Sequence, residues 1–168
     1  MAAFPGVDFL EFYSLLSDEE KLARKTARQF VDEKVLPIIV EHDRAGKFPM
    51  QLVPQMAQLG FFGASLKGYD CAEMSNVEYG LVTQELERGD SGLRSFVSVQ
   101  SALVMYPIHA FGSDAQKEKW LPPLQQGKAI GCFGLTEPQF GSNPGGMLSR
   151  AVKKGDSYIL DGEKMWIT

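Results

Sequence analysis

Two groups of residues in this sequence have the types and spacing to do chemistry. The first begins at Gly131, in Gly-Cys-Phe-Gly-Leu-Thr-Glu-Pro-Gln-Phe-Gly-Ser-Asn-Pro-Gly-Gly, and closes at Lys164-Met165-Trp166-Ile167-Thr168. Gly141, Gly145 and Gly146 beside Pro138 and Pro144 describe a shaped loop in which main chain can approach a ligand. Thr136 and Ser142 add hydroxyls, and the loop amides suit a polar or anionic ligand edge. The same composition also suits an ordinary connection between strands, because Gly and Pro punctuate most loops. The second group is Glu87, Arg94, Ser95 and Ser98, at the start of an apolar helix. An arginine taken out of water without a partner is costly, and Glu87, seven residues upstream, is a candidate partner. A surface arginine at a helix start is the alternative, and periodicity alone does not decide between them.

The elements that must carry these groups are mostly helical up to about Lys128. Ser17-Asp18-Glu19-Glu20 is a capping box, and Leu22, Ala23, Ala27, Phe30 and Val31 follow at helical spacing, which predicts a long amphipathic first helix that Pro37 kinks or ends. Pro49 helps start a second helix, Met50 to Leu59, closed by Gly60. Phe61 to Met74 reads as an irregular connection. Ser75-Asn76-Val77-Glu78 is another capping box and opens a helix to about Asp90. From Leu93 to Phe111 the sequence is apolar on most sides, which predicts a buried central helix bent near its end by Pro107. Ser113 caps a further helix to Leu121, stopped by Pro122-Pro123. Trp120 and the Phe61-Phe62 pair read as packing.

At about Gly127 the pattern changes class. An apolar run, Ala129 to Leu135, precedes the glycine-rich loop. Met147 to Lys153 is a candidate strand, Lys154-Gly155-Asp156 a turn, and Ser157 to Leu160, Asp161-Gly162 and Glu163 to Thr168 a hairpin pattern. The fold class is therefore α+β: an N-terminal all-α helical bundle domain over 1–128, followed by the beginning of an antiparallel β domain over 129–168. Two or three strands without a partner sheet bury little apolar surface. The expectation is that residues 1–168 are the N-terminal portion of a longer protein.

Composition excludes several function classes. A net charge of −4, with no cluster of Lys and Arg, gives no footprint for nucleic acid. No apolar run approaches the length that spans a bilayer. Cys71 and Cys132 lack metal-like spacing and read as free thiols, Cys132 packed in an apolar strand. His42 and His109 lack metal-like neighbours, so no metal is expected. The N-terminus has neither a secretory signal nor an arginine-rich transit peptide, which points to a bacterial cytoplasmic protein, or to a processed protein of the mitochondrial matrix.

Gly131 to Pro138, Phe140-Gly141-Ser142, and Gly162-Glu163-Lys164-Met165-Trp166-Ile167-Thr168 resemble the flavin-binding signature of the acyl-CoA dehydrogenases, and the likeness runs through the helical part as well. Glu87-Arg88, Asp90-Ser91, Arg94-Ser95 and Ser98-Val99-Gln100-Ser101 resemble the glutaryl-CoA dehydrogenase branch. The resemblance implies FAD as cofactor, contacted by Phe133, Leu135, Thr136, Gly141, Ser142, Trp166, Ile167 and Thr168. It also implies a dicarboxylic acyl-CoA substrate whose free carboxylate meets Arg94 and Ser98, with Glu87 orienting the guanidinium and Ser142 near the CoA arm. An Arg fork matches a carboxylate, and a serine hydroxyl donates a further bond.

By the same resemblance, glutaryl-CoA is oxidised and decarboxylated to crotonyl-CoA, with electron-transfer flavoprotein as acceptor and a homotetramer as the assembly. The base in this family is a glutamate of a C-terminal helical domain, and no glutamate in residues 1–168 matches its motif. The catalytic assignment is therefore none, and the chain alone is expected to be inactive. Gln139 and Asn143 stand where the family commonly has Asp, or Asp or Asn, so a little loop charge is lost. The other readings are dehydrogenation of plain fatty acyl chains, with Arg94 structural, and a non-catalytic helical binding module.

Overall fold

In the computed structural model, residues 10–168 are described. The helical part comprises α1 (Asp18–Phe30), α2 (Ile39–Arg44), α3 (Val53–Gln58), α4 (Asn76–Gly89), α5 (Ser91–Ser98), α6 (Tyr106–Phe111) and α7 (Asp114–Gln125). Ser17, Ser75 and Ser113 each form the full reciprocal capping box, with Glu20, Glu78 and Gln116 as third-position partners. A serine oxygen and a carboxylate or amide thereby satisfy amides that the first helical turn leaves without partners.

Pro37 lies in the turn that ends the first helix before α2, as expected, and Pro107 sits in the first turn of α6, near the end of its helix, without breaking it. Each lies two residues beyond a π-helical segment, Val31–Val35 and Val99–Met105, where the ladder widens: the Leu36 amide donates to Val31 O, and the Tyr106 amide to Ser101 O. A proline ring collides with the carbonyl four residues back, and a wide turn absorbs that collision. Pro122 and Pro123, by contrast, do not stop their helix as expected: they lie inside α7, which runs on to Gln125. The expected long central helix is thus α5, a π-helical segment and α6 end to end. It is buried at Leu93, Val97, Gln100, Ser101 and Met105, while Phe111 stands exposed at its far end.

The core lies among α1, α3, α4, α5 and α7. Phe30 meets Phe61 edge-on at 5.8 Å between ring centroids, and Phe62 meets Phe96 at 5.7 Å. Phe61 and Phe62 are buried, as read from the sequence, but Trp120 is half-exposed, with Lys119 Nζ 4.8 Å from its ring centroid. The Glu85 carboxylate, 2% exposed, receives Arg24 at 3.0 Å, Arg88 at 2.7 Å and Arg28 at 3.6 Å, joining α4 to α1. A carboxylate so buried is tolerated only when its lone pairs are met by charged donors.

Beyond α7, β1 (Arg150–Lys154) pairs antiparallel with β2 (Ser157–Asp161), Val152 opposite Ile159 and Lys154 opposite Ser157. The turn is Gly155-Asp156, with Gly155 at φ +62°, a conformation that favours glycine. Asp161-Gly162 is not a hairpin turn, and Glu163 to Thr168 is not a strand. That segment runs back to Thr136, whose carbonyl accepts the Met165 amide at 2.9 Å. Cys132 is exposed, not packed, because residues 129–135 join no ladder. Burial pushes the half-buried Cys71 thiol up to about 11, which leaves it protonated and unreactive near neutral pH. Among the described residues no helix is long and apolar enough to cross a membrane.

Candidate functional site

The chain leaves α7 under tight control. Gly127, Lys128 and Ala129 donate to the last carbonyls of α7, at Leu124 and Pro123. Gln100, buried within the π-helical segment, then uses both ends of its amide: Nε2 donates to Leu124 O at 3.0 Å and Ala129 O at 2.9 Å, and Oε1 accepts the Gly131 amide at 3.0 Å. A buried amide with both ends paired is a stabilising clamp, because leaving either end bare costs its full desolvation. At Gly131 the backbone passes so close to Val104 that an added Cβ would collide with it. These contacts fix where the next residues emerge.

They emerge along one wall of a cleft of about 310 Å³. It is lined by Phe133, Leu135 and Thr136 on one side, Trp166, Ile167 and Thr168 on another, and Val99 and Leu103 of the π-helical segment. Six of the eight residues expected to contact a cofactor are therefore neighbours, although about thirty residues separate the two runs. The walls are apolar, and the Thr136 and Thr168 side-chain hydroxyls make no hydrogen bond among the described residues. Trp166 is 85% exposed and sits at φ +58°. An apolar slot with a bare indole and two available hydroxyls suits a flat heteroaromatic ring with a polar edge. The donor set thus fits a flavin.

Gly141 and Ser142 are not part of this cleft. The chain turns away at Glu137, whose amide and carbonyl pair with those of Phe140, and Gly141 then has open space about it. Ser142, expected at both cofactor and substrate, is exposed on that loop.

The second group is assembled as its spacing suggested. Arg94 Nε donates to Glu87 Oε2 at 2.6 Å, and Nη1 approaches Ser98 Oγ at 3.4 Å. Ser91 Oγ donates to the other Glu87 oxygen at 2.5 Å. The Ser91 hydroxyl and the Arg94 guanidinium hold the Glu87 carboxyl below the usual carboxylate range, so it is ionised at neutral pH. Ser98 donates its own proton to Ser95 O at 2.9 Å. Arg94 Nη2 makes no hydrogen bond among the described residues. Ser98, which Arg94 approaches, directly precedes Val99 of the cleft wall in the chain.

Sequence reasoning missed four contributors: Gln100, Glu137, Lys164 and the Val99–Leu103 wall. Gln100 carried a signal, since a polar side chain inside an apolar helix must find partners. Lys164 Nζ donates to Leu135 O at 3.1 Å and Glu137 Oε1 at 2.9 Å. The Glu137 carboxylate also accepts the Leu148 and Ser149 amides at 2.6 and 2.9 Å. The Ser149 hydroxyl and the Leu148 amide, with Lys164 beyond them, hold its carboxyl down to about 2. Nothing local in the sequence paired Glu137 with Lys164. Each histidine is held near a backbone carbonyl, His42 at Lys47 O and His109 at Lys67 O, and among the described residues no group of His, Cys, Asp and Glu could hold a metal.

Comparison with known proteins follows the same lines. The family model for the acyl-CoA dehydrogenase N-terminal domain matches residues 17–128. The crystal structure of glutaryl-CoA dehydrogenase from Mycobacterium smegmatis superposes with a TM-score of 0.92 at 52% identity, covering 95% of this chain and 42% of that one. A structure of a glutaryl-CoA dehydrogenase from the same organism in complex with FADH2 gives a TM-score of 0.90 at 50% identity, over 92% of this chain and 40% of that one. The short-chain specific acyl-CoA dehydrogenase of Rattus norvegicus mitochondria is 34% identical over 154 residues, 91% of this chain and 37% of that protein. The chain spans about two fifths of the length of these relatives. A helical domain with formed caps, an antiparallel pair after it, and a family model that matches most of the helical part lead to one conclusion: this chain belongs to the acyl-CoA dehydrogenase family.

Proposed function

We propose that this chain forms the flavin-facing and acyl-facing part of an FAD-dependent acyl-CoA dehydrogenase of the glutaryl type. The observation that carries the reading is the cleft in which Phe133, Leu135, Thr136, Trp166, Ile167 and Thr168 meet Val99 and Leu103, on the same run of helix as Arg94 and Ser98. Trp166 and the apolar walls would hold the flavin ring, and Thr136 and Thr168 would donate to its polar edge. Bound FAD supplies the acceptor for the hydride that leaves the β-carbon of the thioester. Gly141 and Ser142 would serve the outer part of the cofactor or the CoA arm, on the exposed loop.

The residues of this chain then bind and orient. Arg94 Nη2 is available to a carboxylate, and the Ser98 hydroxyl would turn from Ser95 O to the same group. Glu87 keeps the guanidinium aimed through Nε. A carboxylate anchored there fixes how far the α- and β-carbons reach into the slot. That distance, set on a rigid helix, is the contribution proximity makes to rate. Val99, Leu103 and Leu135 exclude water from the acyl chain.

The substrate proposed is glutaryl-CoA, oxidised and decarboxylated to crotonyl-CoA, with electron-transfer flavoprotein as acceptor and a homotetramer as the working assembly. The helical part over 1–128 and the β part from 129 are proposed as separate domains. Residues 1–168 are proposed to be inactive by themselves, because no glutamate among them is assigned as the base. The compartment proposed is the bacterial cytoplasm, or the mitochondrial matrix for a eukaryotic source.

Dehydrogenation of plain acyl chains is a second reading. It is favoured by the 2.6 Å Glu87–Arg94 pair, which already neutralises the guanidinium.

The test is the visible spectrum of the protein that carries this chain, before and after glutaryl-CoA is added without oxygen. A flavin band that bleaches supports the reading. A protein that binds FAD but bleaches only with butyryl-CoA moves the assignment to the second reading, and a protein that takes up no FAD ends both.

A further inference from the structure

Among the described residues the 133–136 and 166–168 walls of the cleft share no β ladder, and one backbone hydrogen bond joins the chain segments that carry them, from the Met165 amide to Thr136 O at 2.9 Å. Beside it Lys164 spans the same gap, with Nζ 3.1 Å from Leu135 O and 2.9 Å from Glu137 Oε1. Glu137 is 4% exposed and also receives the amides of Leu148 and Ser149, just before β1. One carboxylate therefore ties together the end of the 133–136 wall, the start of the hairpin and the segment that leads into 166–168.

Trp166 needs such a tie. A left-handed backbone is costly for a bulky residue and persists only where the surroundings over-determine it. The residue is 85% exposed, so little packing of its side chain holds it. On its N-terminal side Met165 and Lys164 make the bonds just described, and these hold the backbone that leads into Trp166.

We propose that Glu137 and Lys164 are positioning residues: their ion pair sets the spacing of the two cleft walls and so presents the Trp166 ring and the Thr136 and Thr168 hydroxyls to the ligand. Neither side chain lines the cleft, so they act through the backbone they hold. That the ligand is a flavin rests on the function proposed above; the brace itself does not. The pair sums to zero charge, so its role differs from placing a net charge beside the ring.

Backbone amide exchange and FAD titration of the full chain test this together, in the wild type and in Lys164→Met, Glu137→Gln and Lys164→Arg. Opening of the brace in Lys164→Met and Glu137→Gln should speed exchange at Met165 by about tenfold or more, with the amides of α1 and α4 unchanged. Both variants should weaken FAD binding in the same direction, by about tenfold, and reduce the quenching of flavin fluorescence by the indole. Lys164→Arg, which keeps a charged donor, should restore both to within about threefold. Unchanged exchange at Met165 in Lys164→Met would overturn the proposal. So would faster exchange with unaltered FAD affinity, or flavin potentials that shift in opposite directions in the two variants at constant affinity, since that reports charge and not position. Should Glu137→Gln fail to fold, Lys164→Met carries the test, because it removes no acceptor from the Leu148 and Ser149 amides. If the wild type binds no FAD, the flavin reading falls while the exchange arm still decides the brace.

Discussion

Within α1 to α7 every buried face meets another, and the one carboxylate buried there among the described residues, Glu85, is met by three arginines. Within β1 and β2 all ten side chains are exposed, Leu160 at 80%. The first region is held by burial and would keep its shape with many side chains exchanged. The second is held by a backbone ladder, a glycine turn and a few polar ties, and its geometry depends on particular atoms. The cleft lies where the two meet, with one wall on the π-helical segment and two on chain that has little apolar burial of its own. Packing supplies the rigid wall, and polar ties supply the placement of the others.

The sharpest way to break this comparison is to truncate one apolar residue in each region. Leu86→Ala, in the core, should lower unfolding free energy by about 3 kcal/mol in urea titration. Leu160→Ala on β2 should change it by less than about 0.5 kcal/mol. Comparable losses would mean that the strands carry packing energy after all.

Gln100 joins the two regions, so its loss should be felt in both. Gln100→Leu leaves the Leu124 and Ala129 carbonyls and the Gly131 amide without their partner, and should cost about 2 kcal/mol. Hydrogen exchange at Gly131 should rise more than at α1. Equal change at both sites would mean that Gln100 is merely a core residue.

The smallest effect is confined to the second region and depends on pH. The folded-state pKa of Glu137, about 2, lies below the ordinary carboxylate value of 4.5. Its contribution is therefore fully present above that ordinary value and is lost as pH falls towards 2. Protection of the Leu148 and Ser149 amides, corrected for intrinsic exchange, should hold steady down to about pH 4.5 and then decline. In Glu137→Gln that acid-dependent step should vanish, and a step that persisted would assign it to another group.

Legibility in the sequence divides along the same boundary. Two capping boxes and the Ser113 cap were readable because each is a local pattern that starts from a serine, and all three formed as full boxes. Arg94 with Glu87 was readable because seven residues on consecutive helices return to one side. Pro37 was legible as the end of a helix, but the widened turns before Pro37 and Pro107 and the run of α7 through Pro122-Pro123 were not, since they depend on packing around those turns. Asp161-Gly162 misled because a hairpin signal states only what the two residues tolerate, while Lys164 and Met165 bind elsewhere and draw the chain away. Glu137 and Lys164 were silent because 27 residues separate them and neither sits in a local pattern that needs the other.

The measurement that bears most directly on the account is kcat/KM for glutaryl-CoA and butyryl-CoA in the protein that carries this chain, compared with its Arg94→Ala variant. A charged fork gripping a carboxylate is worth about 3 kcal/mol, so glutaryl-CoA should lose about a hundredfold while butyryl-CoA changes by less than about threefold. Equal losses on both substrates would contradict the assignment, and would make Arg94 the structural partner of Glu87 and nothing more.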